Sequence, residues 1–294
     1  MTPNPQSAIN NPPSAINNQH IPAFSQAILQ SLCDSPRMVT APLNGAQAFP
    51  PLTPPDTPCE LAFNQKLGHL YEDALHHLLV HAPRYSILAH NQQIITPNKI
   101  TLGELDYLLR DEESQELIHL ELAVKFYLVH HAQGSTTFPG PDARDNYQKK
   151  LQRLSSHQLT LSQRPEARAT LQALLGEPTT PIQSQHLIHG IFFDHIAAPT
   201  QPVPEHASPH TRRLPWLHVS ELPDHFPELQ HAHIIPKQLW LCHTNPSLVD
   251  RLYLADLPTL TTLGQQRCTL FLPTPHSQPT FLAPDTWPHT PREA

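Results

Sequence analysis

Apolar residues recur at helical spacing in two places in the first third of the chain. Phe24, Ala27, Ile28 and Leu32 share one face of a segment that stops before Pro36, which predicts a short docking helix over residues 23–34. Leu67, Leu70, Tyr71, Ala74, Leu75, Leu78 and Leu79 recur every three or four residues and predict a second helix. The period then falls to two. "YSILAH" and "QQIIT" are short strand candidates, and "GELDYLLRDEESQELIHLELAVKFYLVHH" reads as two strands joined by the polar run Arg110 to Gln115. "DARDNYQKKLQRLSSHQL" returns to helical spacing with Tyr147, Leu151 and Leu154 on one side, and "LIHGIFFDHI" is an apolar strand, Gly190 included. The order α-β-β-β-α-β predicts an α/β fold, a mixed sheet flanked by helices. Further on, "QLWLCH" and "CTLFLP" are strand candidates, with a short helix near "PSLVDRLYL".

Composition divides the chain around this centre. Of 294 residues, 35 are proline and only 15% are charged, which suits a folded core joined to irregular segments. Residues 1–60 begin with two copies of "SAINN" and end in a proline-dense stretch that cannot sustain a helix or a central strand. They are expected to be a tail and a linker, apart from the helix at 23–34. Residues 61–197 form the core, and 198–294 a proline- and histidine-rich extension packing on it. The segment "MTPNPQSAIN" lacks the basic start and apolar run of a signal peptide, and no stretch of about 18 apolar residues is present. The expectation is a cytoplasmic protein with no membrane partner.

Charge and reactive residues narrow the function. A net charge of −7 argues against coating nucleic acid by bulk electrostatics, though not against a local basic groove. Cys33, Cys59, Cys242 and Cys268 lie far apart without C-x-x-C spacing, so neither a disulfide framework nor a cysteine zinc site is expected. The 22 histidines are scattered and include no H-E-x-x-H. A histidine zinc protein would need clustering that the linear order does not show.

The two central strands carry charge where apolar residues are expected. Alternation places Glu104 and Asp106 on one face against Leu105, Tyr107 and Leu109. In the next strand Glu121, Ala123 and Lys125 oppose Leu120, Leu122, Val124 and Phe126. A turn centred between Glu113 and Ser114 puts Asp106 opposite Glu121 and Glu104 opposite Ala123. Directly opposed Cβ atoms lie about 4.5–5.5 Å apart. Two carboxylates that close repel unless a cation lies between them or one is protonated. Magnesium suits such an oxygen-only site, and an ammonium at Lys125 could orient metal-bound water. The other reading of these residues is a half-solvated strand whose acids and lysine merely pair across it.

These residues also carry a resemblance. "LGHLYEDAL", "TLGELDYLL", "HLELAVKFYL", "GPDARDNYQKKLQRLSSHQLTLS" and the closing "RCTLFLP" resemble a bacterial family, domain of unknown function 1853, over about residues 22–290. That family is grouped with the PD-(D/E)XK nuclease-like superfamily, whose core is α-β-β-β-α-β. The resemblance implies an acid on the first helix at Glu72, a metal-binding acid at Asp106, and an acid and lysine at Glu121 and Lys125. It implies a polar or basic residue on the second helix, matched to Lys149, with Gln158 as the other candidate. The usual third-strand motif is acid-x-Lys, whereas Glu121 and Lys125 lie four apart, with Ala123 at the usual acid position. At about 3.3 Å per residue that separates them by roughly 13 Å instead of about 7 Å. Glu104, facing Ala123, could supply the missing acid.

Two functions follow. The first is a Mg²⁺- or Mn²⁺-dependent nuclease acting on DNA or RNA, with Asp106, Glu121 and Glu104 at the metal and Lys125, Glu72 and Lys149 in catalysis. Arg144, Lys149, Lys150 and Arg153 on the second helix could meet a phosphate backbone, or could be a solvated face offset by Asp142 and Asp145. The second is a catalytically inactive module on the same scaffold that binds nucleic acid or protein.

Overall fold

The computed structural model describes residues 16–96, 98–176, 181–198, 202–243 and 246–288. The expected tail at residues 1–15 lies outside them. The chain runs α1 (Ile21–Asp34), β1 (Arg37–Val39), β2 (Gln47–Ala48), α2 (Leu67–Val80), β3 (Tyr85–Ile95), β4 (Thr101–Asp111), β5 (Leu117–Ala132) and β6 (Ser135–Thr137). Then come α3 (Tyr147–Arg153), α4 (Arg168–Leu175), β7 (Ile182–His195), β8 (Arg212–His218), α5 (Leu222–His225) and β9 (His231–Ile235). The last elements are α6 (Pro246–Val249), β10 (Tyr253–Asp256), α7 (Leu257–Gln266), β11 (Thr269–Leu272) and β12 (Thr280–Ala283). Among the described residues this is a mixed α/β fold with one large mixed sheet and seven helices.

Strand β7 organises the sheet. One edge pairs in parallel with β5 from Leu117↔Ile182 to Val129↔Asp194. The other edge is shared end to end by β2 at Gln185 and His186, β1 at Ile188 and His189, and β8 from Ile191 to His195. Outward from β5 come β4 and β3, both antiparallel; beyond β8 lie β12, β11, β9 and β10. The C-terminal strands therefore continue the same sheet.

Both faces of the β5–β7 pair are covered, and the alternation of the two strands decides which residues go where. Leu120, Phe126, Leu128, Leu187 and Ile191 pack with the apolar stripes of α1 and α2, including Ile28, Leu32, Leu75 and Leu79. Ala123, Tyr127, Ile188 and Phe192 face the other way, against Tyr147 and Leu154 around α3. Gly190 lies opposite Lys125 on that second face. A Cβ there would collide with the Lys125 carbonyl oxygen and the Met38 side chain. Because one obstacle is backbone of the central strand, Gly190→Ala is expected to cost about 3 kcal/mol. Urea unfolding at constant m-value measures it, and a loss below about 0.5 kcal/mol would contradict the crowding.

Several local expectations change. The segment expected as a linker instead contributes structure over residues 37–49: β1 and β2 pair with β7, and Met38, Val39, Leu43, Ala46 and Phe49 are buried. Proline excludes a central strand, but these pieces are short and stop before Pro50. "YSILAH" and "QQIIT" are one strand, β3, with a register shift between Ile87 and Ala89 and a positive φ of 50° at Asn91. "QLWLCH" is not a strand; Lys237–Leu239 is a 3-10 turn, and Leu239 to Cys242 are buried from that turn. The helix expected from "DARDN" begins only at Tyr147, where the Asn146 side chain caps it by accepting from the Gln148 N–H. No helix among the described residues is long and apolar enough to cross a membrane.

Candidate active site

The β4–β5 hairpin sets the register of the charged strands. Asp111 closes the turn: its carboxylate accepts from the Glu113 and Ser114 N–H groups and from Arg84. The pairs Arg110↔Leu117 to Tyr107↔Leu120 follow in the register expected from the turn, but the expected pairs of Asp106 with Glu121 and of Glu104 with Ala123 lie beyond the last paired residue. The ladder ends at Tyr107. There the Asp106 carboxylate takes the Leu122 N–H at 2.8 Å. Strict alternation also lapses here: Leu105 and Leu108 both pack with Leu161 and Leu171, while Tyr107 and Leu109 face α2. Leu105 thus parts from the face that simple alternation gives it.

Glu121 is fully buried, and both of its oxygens are bonded. Oε1 meets His119 Nε2 at 2.9 Å, and Oε2 accepts from Gln158 Nε2 at 2.8 Å. His119, also fully buried, reaches Ser162 Oγ through Nδ1 at 3.0 Å. On the other side the Lys150 ammonium donates to Gln158 Oε1 at 2.8 Å. The result is one polar chain, Ser162–His119–Glu121–Gln158–Lys150, threaded through an apolar sheet. Gln158 reaches it because α3 widens into a π turn over Leu154–Gln158, closed by the Leu159 N–H on the Leu154 carbonyl.

Electrostatics follows from burial. Desolvation raises Asp106 well above the ordinary carboxylate range; the Glu121 and Glu72 charges add to this, and the Leu122 N–H opposes it. Desolvation likewise lifts Glu121 to about 7, with Lys150 and Gln158 holding it back. His119 is pushed down to about 4 by burial. Burial and the neighbouring Lys125 lower Lys150, while Glu121 and Asp106 favour its charged form. A buried imidazole that disfavours its charged form therefore faces a buried carboxyl whose affinity for a proton is raised.

The remaining expected residues take different places. Glu72, on α2, adds its charge to both Asp106 and Glu121, and its carboxylate meets the exposed His69 at 3.0 Å. The Tyr107 hydroxyl donates to the Glu72 carbonyl at 2.6 Å, tying that helix turn to β4. Lys125 is held by Asp145 at 2.7 Å. Glu104 pairs with Gln93 on β3 and forms no hydrogen bond or ion pair with a described side chain. Lys149 is exposed, and its neighbour Lys150 turns inward instead. His119 and Lys150 were legible: His119 shares a face with Glu121 two residues on, and Lys150 falls in the Tyr147–Leu151–Leu154 stripe. Ser162 carried no such signal.

Metal binding by these groups has a specific limit. Among the described residues no three His, Cys, Asp or Glu side chains form a group able to hold a metal ion. Glu104 thus does not complete a three-carboxylate set, and the histidine zinc alternative finds no cluster. Asp106 and Glu121 still meet the smaller demand of magnesium, which takes one or two carboxylates with water and substrate phosphate. Asp106 Oδ1 is free of hydrogen bonds to described residues, and a bound cation would offset the desolvation that raises both carboxyls and, at Asp106, the added Glu121 and Glu72 charges.

Residues 4–260 match the family described as a domain of unknown function (DUF1853). The chain belongs to that family. The DUF1853 match runs from α1 through β10 into the first turn of α7 and so contains every residue of the polar chain and Asp106. No curated protein and no solved structure matches the chain.

Proposed function

We propose that this DUF1853 protein is a Mg²⁺- or Mn²⁺-dependent nuclease-like hydrolase of phosphodiester bonds in DNA or RNA. The observation that carries this reading is the Asp106 carboxylate on the Leu122 N–H, next to buried Glu121 and within reach of its charge, with Lys150 linked to Glu121 through Gln158. Support also comes from topology. Helix α2 precedes the meander β3–β4–β5, α3 follows after β6, and β7, after α4, joins β5 in parallel, an order compatible with an α-β-β-β-α-β core carrying two added elements.

Asp106 and Glu121 would hold the metal, which supplies a Lewis acid for a phosphoryl oxygen and lowers the pKa of bound water. The chain's own groups do the rest. Lys150, beside both carboxyls, stabilises negative charge developing on phosphorus. Glu72 adds its negative charge to those of Asp106 and Glu121 and so favours a cation near them. Gln158 fixes Glu121 and Lys150 relative to one another. Lys125, paired with Asp145, stands farther along the same face and is a substrate-backbone contact.

A second reading, a binding module without catalysis, is favoured by one feature: both Glu121 oxygens are already bonded to protein donors. Cleavage of mixed DNA and RNA substrates with Mg²⁺ or Mn²⁺ separates the two. Wild type is expected to cleave, and Asp106→Ala to lose at least about 100-fold. No cleavage by folded wild-type protein with either metal would leave the binding module.

A further inference from the structure

The C-terminal strands create a cleft that the carboxylate site does not use. Its volume is about 1020 Å³, at the upper limit of ordinary small-molecule pockets. Three cations line it on three separate segments: Arg144 on the loop before α3, Lys237 after β9, and Arg267 after α7. The only acid among its lining residues is Asp142, bound by Arg144 at 2.7 Å. Lys237 and Arg267 are exposed, and neither pairs with a carboxylate of the described residues. The cleft is thus a cationic patch on a chain of net charge −7.

One wall links the cleft to the site. The loop Gly140–Asp145 is closed by the Gly140 N–H on the Asp145 carbonyl at 2.9 Å. It is pinned from the cleft side, where Trp287 Nε1 donates to the Gly140 carbonyl at 3.1 Å. The Cys268 thiol donates to the Pro141 carbonyl at 3.6 Å. At its far end the Asp145 carboxylate holds Lys125. The pinned loop thus has Arg144 lining the cleft and, one residue on, Asp145 bonded to Lys125 of β5. The tryptophans offer no stacking platform, since Trp240 and Trp287 are only 4% and 6% exposed and Lys237 already covers the Trp240 ring. Recognition here is by charge.

We infer that this cleft is a phosphate-backbone groove, in which Lys237 and Arg267 hold a nucleic-acid strand leading to the Asp106–Glu121 site. The inference deepens the nuclease reading and rests on it for its direction, but it concerns binding and is tested without catalysis. Anisotropy of a labelled single-stranded oligonucleotide is measured in EDTA, across a series of salt concentrations, for the full chain.

Lys237→Ala combined with Arg267→Ala is expected to weaken binding and flatten the slope of log affinity against log salt by about 1.4, near 0.7 for each phosphate that is no longer neutralised. Lys237→Arg is expected to keep the wild-type slope. Both positions are exposed, and thermal unfolding of each variant checks that the fold is intact. An unchanged slope and affinity in the double variant overturns the inference, as does a wild type that binds no oligonucleotide. Displacement of the strand by mononucleotide or inorganic phosphate at equal phosphate concentration also overturns it, because the cleft would then serve a small anion. Cleavage assays on the same preparations report the catalytic reading separately: binding with the expected slope but no metal-dependent cleavage keeps the groove and sinks the hydrolase.

Discussion

Lys150→Ala is expected to lower metal-dependent cleavage by about 100-fold or more, while Lys149→Ala stays within about two-fold of wild type. The two lysines are neighbours in sequence, so the contrast tests the geometry rather than the composition of the helix. Lys150 is bonded to Gln158, which is bonded to Glu121, and its charge is felt by Glu121 and Asp106. Lys149 points to solvent and contributes only its backbone N–H to the Asn146 cap. A group that acts on charge developing in the transition state changes kcat more than KM, whereas a backbone contact changes KM. The expected split is therefore a kcat effect at Lys150 and a KM effect at Lys125. A 100-fold kcat loss at Lys125→Ala with Lys150→Ala near wild type would return the central role to Lys125.

The second large effect is on stability and has opposite signs in two variants. Glu121 is raised from 4.5 to about 7, so between these values the folded state holds a proton that the unfolded state has released. That contribution makes stability fall as pH rises. His119 is lowered from 6.5 to about 4, so across that window the unfolded state holds the extra proton and stability rises with pH. In wild type the two nearly cancel, because the pair holds one proton in either state over most of the range.

Removing one partner uncovers the other. Relative to wild type, Glu121→Gln is expected to gain about 3 kcal/mol of stability on going from pH 4 to pH 6.5. His119→Gln is expected to lose about 3 kcal/mol between pH 4.5 and pH 7. Asp106 is raised as well and adds a falling contribution of its own, which is smaller in Glu121→Gln because the Glu121 charge is one of its causes. Urea unfolding across this range measures the differences. Parallel profiles for wild type and both variants would show that His119 and Glu121 are not a buried neutral pair.

Much of the frame was legible along the chain. The stripes Phe24–Leu32 and Leu67–Leu79 became α1 and α2 because a three-to-four-residue period needs no partner to be read. The register of the β4–β5 hairpin was legible too, since a short polar turn leaves little freedom in which residues face each other. What failed was local chemistry that depends on distant segments. Residues 37–49 looked like linker because their strands are too short to show a period, and only β7 gives them a partner. Lys149 and Lys150 differ by about 100° around a helix, and assigning the inward one required the stripe of Tyr147, Leu151 and Leu154 to be used as a compass.

By itself, then, the sequence determined the alternation of elements, the apolar faces of the helices and the register of the β4–β5 hairpin from Arg110↔Leu117 to Tyr107↔Leu120. Each rests on residues close in the chain, where backbone geometry dictates position. Only the tertiary structure decided that Glu121 is closed in by His119 and Gln158, that Lys150 serves it, and that the C-terminal strands continue the sheet and enclose a cationic cleft. Those features join segments far apart in the chain, or depend on a π turn that shifts one side chain by a fraction of a helical turn. Burial then sets the charge of each group, and burial is a property of the whole fold.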